Sequence, residues 1–473
     1  MESITGRQKE LNQLRKLGSK NSSSFVAIYG RRRVGKTFLV RNAFTEFAFQ
    51  ATGMANVNTK TQLTNFCLSL KRYEPGDHDR PVAKTWLEAF TRLIDLLENK
   101  DDPKKIIFLD ELPWMDTAGS GFLPALEHFW NAWASARTDI LLIVCGSAAS
   151  WITNKLLNNR GGLHNRVTDR IPLYPFTLKE LEEYFGNHSA IFDRYQLIQL
   201  YMAMGGIPFY LAQVDTGKSA AQNIDHLFFS TSGILRTEFD NLYHSLFQKA
   251  EKHIHIIEAL SKKGRGLSRD ELLQATKMTN GGGVTRILRE LEESHFIRRY
   301  RSFGKKEKNS LYQLIDFYSL FYLRWLRETA TPSPGYWLTQ LNTPAQNAWE
   351  GIAFEKVCLE HVPQICDALG IAGIKSETSA WSGSHEEEGA QIDLLIDRDD
   401  RLINICEMKF SNDNYPISKS YADNLKKKLR VFKGATETKK ALQLIFITPY
   451  GIVRNNYSDT LVHHELTAAA LFR

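Results

Sequence analysis

Two hydrophobic rhythms alternate along this chain. Some apolar runs are short and unbroken, which suits buried strands; elsewhere apolar side chains return every three or four positions, which suits amphipathic helices. Phe25 to Tyr29, Phe47 to Thr52, Ile106 to Leu109, Ile140 to Cys145 and Asp169 to Leu173 read as strands. Leu11, Leu14 and Leu17, then Trp86, Phe90, Leu93 and Leu97, then the aromatic stretch Phe122 to Trp133, read as helices with the aromatics in the core. Beyond the midpoint come helical patterns over Lys249 to Ser261, a short Ser268-capped segment through Leu273, and Gly281 to Ser294. Phe296 to Phe303, a charged turn over Gly304 to Asn309, and Ser310 to Leu314 predict strand, turn, strand. Phe317 to Trp325 predicts an aromatic helix, and Thr331 to Gly335 is the best linker in the chain. Trp349 to Leu359 reads as a helix, Gln391 to Asp397 and Leu402 to Phe410 as a hairpin around Arg398 to Arg401, and Ala441 to Thr448 as one more buried strand. His463 to Arg473 carries no clear pattern.

The strand Phe25 to Tyr29 runs into Gly30, Arg31, Arg32, Arg33, Val34, Gly35, Lys36 and Thr37, and a helical pattern opens at Phe38. Strand, glycine loop and helix start are the context in which G-x-x-x-x-G-K-[ST] carries a mechanism. Main-chain N–H groups there favour an anion, and glycine lets backbone approach phosphate closely. Lys36 supplies a point charge for the β- and γ-phosphates of ATP, and the Thr37 hydroxyl a ligand for Mg²⁺.

The run Lys104 to Glu111 ends in two acids, as a buried parallel strand does when its tip meets a site. Asp110 is the candidate to hold Mg²⁺, and Glu111 to polarise the attacking water; the bland alternative is two solvated acids. Ser147 follows the strand at Ile140 to Cys145, placed to touch the γ-phosphate or water, or to cap the next helix. Arg166, after Gly161 to His164, is the candidate arginine finger or simply a surface arginine.

Composition changes this picture little. The 473-residue chain has room for several domains, and its net charge of +7 permits a polyanionic partner without demanding one. Its five cysteines have no C-x-x-C spacing, so no disulfide framework or zinc site is expected. The N-terminus lacks the apolar core of a signal peptide, and the longest apolar candidate, Leu314 to Leu326, is interrupted by Asp316 and Arg324. The expectation is a soluble cytoplasmic protein with no membrane partner.

Taken together, Thr5 to Leu11, Gly30 to Thr37, Phe108 to Trp114, Cys145 to Ser150 and Gly205 to Leu211 resemble the AAA+-related archaeal-type ATPases, near the signal-transduction ATPases with numerous domains (STAND). The resemblance covers roughly the first half. It implies a five-stranded parallel sheet with helices on both faces and a helical lid. It also places Gly6 and Arg7 near adenine, and Pro208 of the lid close to the nucleotide.

The three helices and two strands after residue 246 read as a winged helix-turn-helix. Arg286 and Arg289 on the third helix, with Arg298, Arg299, Arg301, Lys305, Lys306 and Lys308, would form a basic face for DNA. Alternatively the wing packs on the ATPase and regulates it. In the later hairpin, Glu407 and Lys409 share a face, and a symmetric turn would set Asp393 opposite Glu407. Asp393 and Glu407 could hold Mg²⁺, Lys409 could orient water, and Glu355 could add a carboxylate. These residues, with Tyr421 on the following helix, resemble the PD-(D/E)xK, restriction-endonuclease-like fold, which is found at the C-terminus of this ATPase family. Ile392 stands where that motif often has proline. A surface ion pair, or the fold without activity, is the alternative.

The expected architecture is α/β: an AAA+-type P-loop ATPase core over residues 1–175, a helical lid over 176–245, a winged helix-turn-helix over 246–315, a helix and linker over 316–345, and an α/β restriction-endonuclease-like domain over 346–473. The expected function is ATP hydrolysis whose nucleotide state controls DNA binding and Mg²⁺-dependent cleavage. The alternative is an ATP-dependent signalling switch acting by homo-oligomerisation or partner binding.

Overall fold

The computed structural model describes residues 4–74, 80–147, 149–158, 165–188, 192–247, 249–305, 310–327, 333–386 and 388–473. The chain divides into two compact units, Met1–Tyr174 and Pro175–Arg473, each treated by itself.

In the first unit five strands form one sheet: β1 (Ser24–Tyr29), β2 (Phe49–Thr52), β3 (Lys105–Asp110), β4 (Ile140–Gly146) and β5 (Asp169–Pro172). Their order is β2-β3-β4-β1-β5, and every pairing is parallel. A parallel sheet needs cover on both faces, so its central strands lose their polar alternation; β4 is buried at every position. Helices Thr59–Lys71 and Trp86–Glu98 deliver Phe66, Trp86 and Phe90 to the core. Trp86 meets Phe122 edge-on at 4.8 Å, and Phe90 packs on Phe129 at 5.3 Å. The stretch Phe122 to Trp133 is a helix as its spacing predicts, but it widens to a π-helix over Phe129–Trp133.

The second unit opens with helices including Leu178–Asn187, Arg194–Met204 and Glu238–Leu246. Helices Ala250–Ser261, Arg269–Thr276 and Gly282–Glu293 follow, with strands β6 (Leu267–Ser268), β7 (Ile297–Tyr300) and β8 (Leu311–Leu314) in an antiparallel sheet ordered β6-β8-β7. The last third holds helix Pro344–Glu360 and strands β9 (Ser376–His385), β10 (Glu388–Arg398), β11 (Leu402–Met408), β12 (Ala441–Ile447) and β13 (His464–Leu466). Here β9, β10 and β11 pair antiparallel, while β11, β12 and β13 pair parallel. Helix Lys419–Thr436 makes the crossover from β11 to β12.

Successive segments of this second unit are tied to one another. The Leu178 N–H donates to His361 Nε2 at 3.0 Å, and Gln199 donates to Glu350 at 3.1 Å. The Phe303 N–H donates to Ala380 O at 2.8 Å, so the chain beyond β7 joins the edge of β9. Two residues of the expected linker, 331 and 332, lie outside the described residues. Its end is held, because Asp225 accepts the N–H groups of Gly335 and Trp337 at 2.7 and 2.9 Å. Among the described residues all five cysteines are free, and no helix is long and apolar enough to cross a membrane.

Candidate functional site

The glycine loop leaves the tip of β1. Gly30 has φ +152°, and a Cβ there would fall 2.1 Å from Leu173 O, so only glycine lets the tips of β1 and β5 close. Arg33 and Gly35 also have positive φ, and helix Lys36–Ala43 starts at once. Lys36 is buried, and its Nζ donates to Gly30 O and Arg31 O, both at 2.9 Å, and to Ser147 Oγ at 3.1 Å. Burial pulls its ammonium below the usual lysine range, and the Glu111 charge opposes this. Arg31 and Val34 are buried, while Arg32 and Phe38 face solvent.

The tip of β3 completes the site. Thr37 Oγ1 donates to Asp110 Oδ2 at 2.8 Å, and the Glu111 N–H donates to Asp110 Oδ1 at 3.0 Å. Burial raises the Asp110 carboxyl above its ordinary range, and the Thr37 bond works against it. Glu111 adopts φ +47°, and its side chain meets the tip of β4. Its Oε1 accepts Ser147 Oγ at 2.6 Å and its Oε2 accepts the Ser147 N–H at 3.3 Å. Ser147 therefore bridges Lys36 and Glu111, a link among three strand tips.

This donor set suits ATP with Mg²⁺. Thr37 Oγ1 and Asp110 Oδ2 are hard oxygen donors already side by side. A Cβ on Gly35 would meet nothing within 4 Å, so main chain borders open space where phosphates need it. Gly6 and Arg7 both have positive φ at the start of helix Gln8–Gly18, and the Arg7 guanidinium donates to Tyr174 O. Arg166 is exposed, and Gly161 to His164 before it lie outside the described residues. Pro208 opens helix Pro208–Leu211 in the second unit, after Gly206, whose Cβ would sit 2.0 Å from Phe176 O.

A second cluster forms in the C-terminal sheet. The β10–β11 register pairs Leu394 with Cys406 and Leu395 with Ile405, so continuing it by one residue sets Asp393 across from Glu407. Glu407 is buried; Oε1 accepts the Tyr421 hydroxyl at 2.5 Å and lies 3.2 Å from Lys409 Nζ, and Oε2 accepts Lys428 Nζ at 2.8 Å. Asp393 Oδ1 accepts the Gln391 amide at 2.7 Å. Burial, then the Asp393 charge, pushes Glu355 up to about 8, and Lys409 and Glu407 also act on it. A cavity of about 220 Å³ opens beside Glu355 and Asp393, lined also by Arg298, Tyr300, Lys356 and Trp381. Among the described residues no three His, Cys, Asp or Glu side chains are placed to hold a metal ion. Both oxygens of Glu407 are engaged by neighbouring side chains, Oε2 by the Lys428 ammonium, so a metal ion at Asp393 and Glu407 would meet that like charge.

Two features depart from the sequence expectation. Lys428 carries no motif; its one signal is its place two helical turns beyond Tyr421, on the same face. The basic face loses Arg298, which donates to Gln313 Oε1 at 2.9 Å and Leu359 O at 3.1 Å. Neighbouring strand residues point to opposite faces, so Arg298 goes inward while Arg299 stays exposed. Arg286 and Arg289 remain exposed on helix Gly282–Glu293; Lys306 and Lys308 lie outside the described residues.

A glycine loop between a buried parallel strand and a helix, with a lysine inside and an acid-tipped strand beside it, defines a P-loop nucleotide-binding site. Residues 4–214 match the family described as the ATPase domain predominantly from Archaea. Over 430 residues the chain is 25% identical to the uncharacterized protein MJECL04 of Methanocaldococcus jannaschii, spanning 89% of this chain and 91% of that one. Among solved structures it is similar to a Walker-type ATPase of Pyrococcus abyssi, at 16% identity and TM-score 0.49, covering 68% of this chain and 97% of that chain. It is also similar to the ORC2 protein of Aeropyrum pernix, at 16% identity and TM-score 0.40, covering 68% and 93%.

Proposed function

We propose that this chain binds and hydrolyses ATP in its first unit and uses the nucleotide state to control DNA engagement by its second. The observation that carries the reading is the 2.8 Å contact between Thr37 and Asp110, which unites the phosphate loop with the acidic strand tip. Main-chain N–H groups of the loop receive the phosphates, and Lys36 exchanges the carbonyls of Gly30 and Arg31 for β- and γ-oxygens. Thr37 and Asp110 would hold Mg²⁺, which neutralises charge on the phosphates. Glu111, steadied by Ser147, orients the attacking water. Arg166 reaches the γ-phosphate of a neighbouring subunit or of this site, while Gly6 and Arg7 border the nucleotide.

For the second unit we take residues 246–315 as a winged helix-turn-helix and 346–473 as a restriction-endonuclease-like domain. The helix order and the β6-β8-β7 sheet support the first, and the Asp393–Glu407 register with Lys409 supports the second. Arg286 and Arg289 are the candidate DNA contacts.

The switch reading, in which the nuclease fold cuts nothing, is favoured by one observation: Tyr421, Lys409 and Lys428 already engage Glu407. Two assays decide. Lys36→Ala should abolish ATP binding in a nucleotide titration; unchanged affinity would refute the ATPase reading. Nicking of supercoiled or branched DNA with Mg²⁺ or Mn²⁺, compared among wild type, Asp393→Ala and Lys409→Ala, separates cleavage from switching. Equal nicking by all three removes those residues from catalysis.

A further inference from the structure

Glu407 lies near the carboxyl end of β11, faced by helix Lys419–Thr436. That helix sends Tyr421 and Lys428 to it from one face, and β11 runs on to Lys409. Lys428 Nζ bonds Oε2 at 2.8 Å, and the Tyr421 hydroxyl bonds Oε1 at 2.5 Å. Lys409 Nζ stands 3.2 Å from Oε1. An ammonium group only donates, so it satisfies the carboxylate as a cation does, and it offers no lone pair to a metal. A divalent ion needs the oxygen itself, at roughly 2.0–2.6 Å. An ion bound through Oε2 would sit beside the Lys428 ammonium, itself 2.8 Å from that oxygen, against like-charge repulsion.

We propose that Lys428 is the resident cation of this carboxylate cluster: it occupies the metal position on Glu407, and a divalent cation enters only when Lys428 withdraws. The proposal rests on reading Asp393, Glu407 and Lys409 as a phosphodiester-hydrolysing cluster, and it adds the group that controls metal entry. The side chain of Lys428 is 18% exposed and that of Glu407 is 9%, so solvent screens the pair only weakly. Lys428 is followed by a half-turn of helix and Val431 and Phe432, both buried, which fix its approach.

The test is a Mn²⁺ titration of the full-length chain without nucleotide, followed by the paramagnetic resonance of the free ion. Asp110→Asn is present throughout to silence the phosphate-loop site. Lys428→Met should gain one Mn²⁺ site, bound at least about tenfold tighter than in the Asp110→Asn parent. Adding Glu407→Gln should remove the gain, and Lys428→Arg should restore the block. Equal Mn²⁺ affinity in Lys428→Met and the parent would overturn the proposal. If Lys428→Met fails to fold, the parent decides: a tight ion lost on Glu407→Gln overturns the proposal, and identical weak binding by the two supports it. DNA nicking separates the two readings. Lys428→Met that holds Mn²⁺ but never nicks sinks the hydrolytic reading and leaves the proposal standing. A chain with Lys428 intact that nicks through a Glu407-dependent ion does the reverse.

Discussion

Ser147 shows how one hydroxyl joins two roles, since it accepts from Lys36 and donates to Glu111. Glu350 is the other telling residue. It is buried, it accepts from Gln199 and Gln346, and burial pushes its carboxyl up to about 7 from an ordinary 4.5. Below pH 4.5 both folded and unfolded chains are protonated there, and the group is neutral to stability. From about 4.5 to 7 the unfolded chain releases a proton that the folded chain keeps, so stability falls with rising pH and then levels. Glutamine keeps the accepting oxygen without the charge. Glu350→Gln is therefore expected to leave stability unchanged at pH 4 and raise it by roughly 2–3 kcal/mol at pH 8, as read by urea unfolding at both values. None of this was legible beforehand, because a glutamate on a helix reads as solvated until its neighbours are known.

At the scale of elements, legibility followed burial. The strands of the first sheet are unbroken apolar runs, so β1, β3 and β4 stand where the pattern puts them. Helix Thr59–Lys71 is marked only by the spacing of Leu63, Phe66 and Leu70. Strand β9 has no apolar signature because it is an edge: Trp381 is its one buried side chain, and backbone pairing with β10 holds the rest. Strand β13 is three residues long and is held by β12. The hairpin is legible because a short turn over Arg398 to Arg401 sets the register, which pairs Leu394 with Cys406, the residues next to Asp393 and Glu407. Helix Gly282–Glu293 buries Val284, Ile287, Leu288 and Leu291 and leaves Arg286 and Arg289 outside. If that face meets DNA, Arg286→Glu with Arg289→Glu should weaken binding at every sequence tested. The slope of log affinity against log salt should flatten by about two, one per lost phosphate contact. An unchanged slope would place DNA elsewhere.

At the scale of the molecule, the second unit is more continuous than its chain order suggests. Trp349 packs on Phe321 at 5.2 Å and on Trp337 at 5.9 Å, joining the segments on either side of residue 345. Lys356 Nζ donates to Leu314 O at 3.2 Å and Gly264 O at 3.3 Å, and His361 accepts from Leu178. Cutting the chain at 345 would strip these partners and bare the aromatic cluster. A chain ending at residue 345 is expected to aggregate or to lose cooperative melting of everything after Tyr174, by size-exclusion chromatography and thermal unfolding. A monomeric product with an unchanged melting profile would show that the last segment is dispensable to the fold.

The sequence by itself determined the buried strands of the first unit and the glycine loop that leads into helix Lys36–Ala43, because unbroken apolar runs and glycine positions act through neighbours a few residues away. It also carried the hairpin that brings Asp393 toward Glu407, since a short turn leaves little freedom of register. Only the tertiary structure decided that Ser147 links Lys36 to Glu111, that Arg298 turns inward, and that Lys428 claims Glu407. Those contacts join residues far apart in the chain, and packing and burial select such partners where local pattern has no hold.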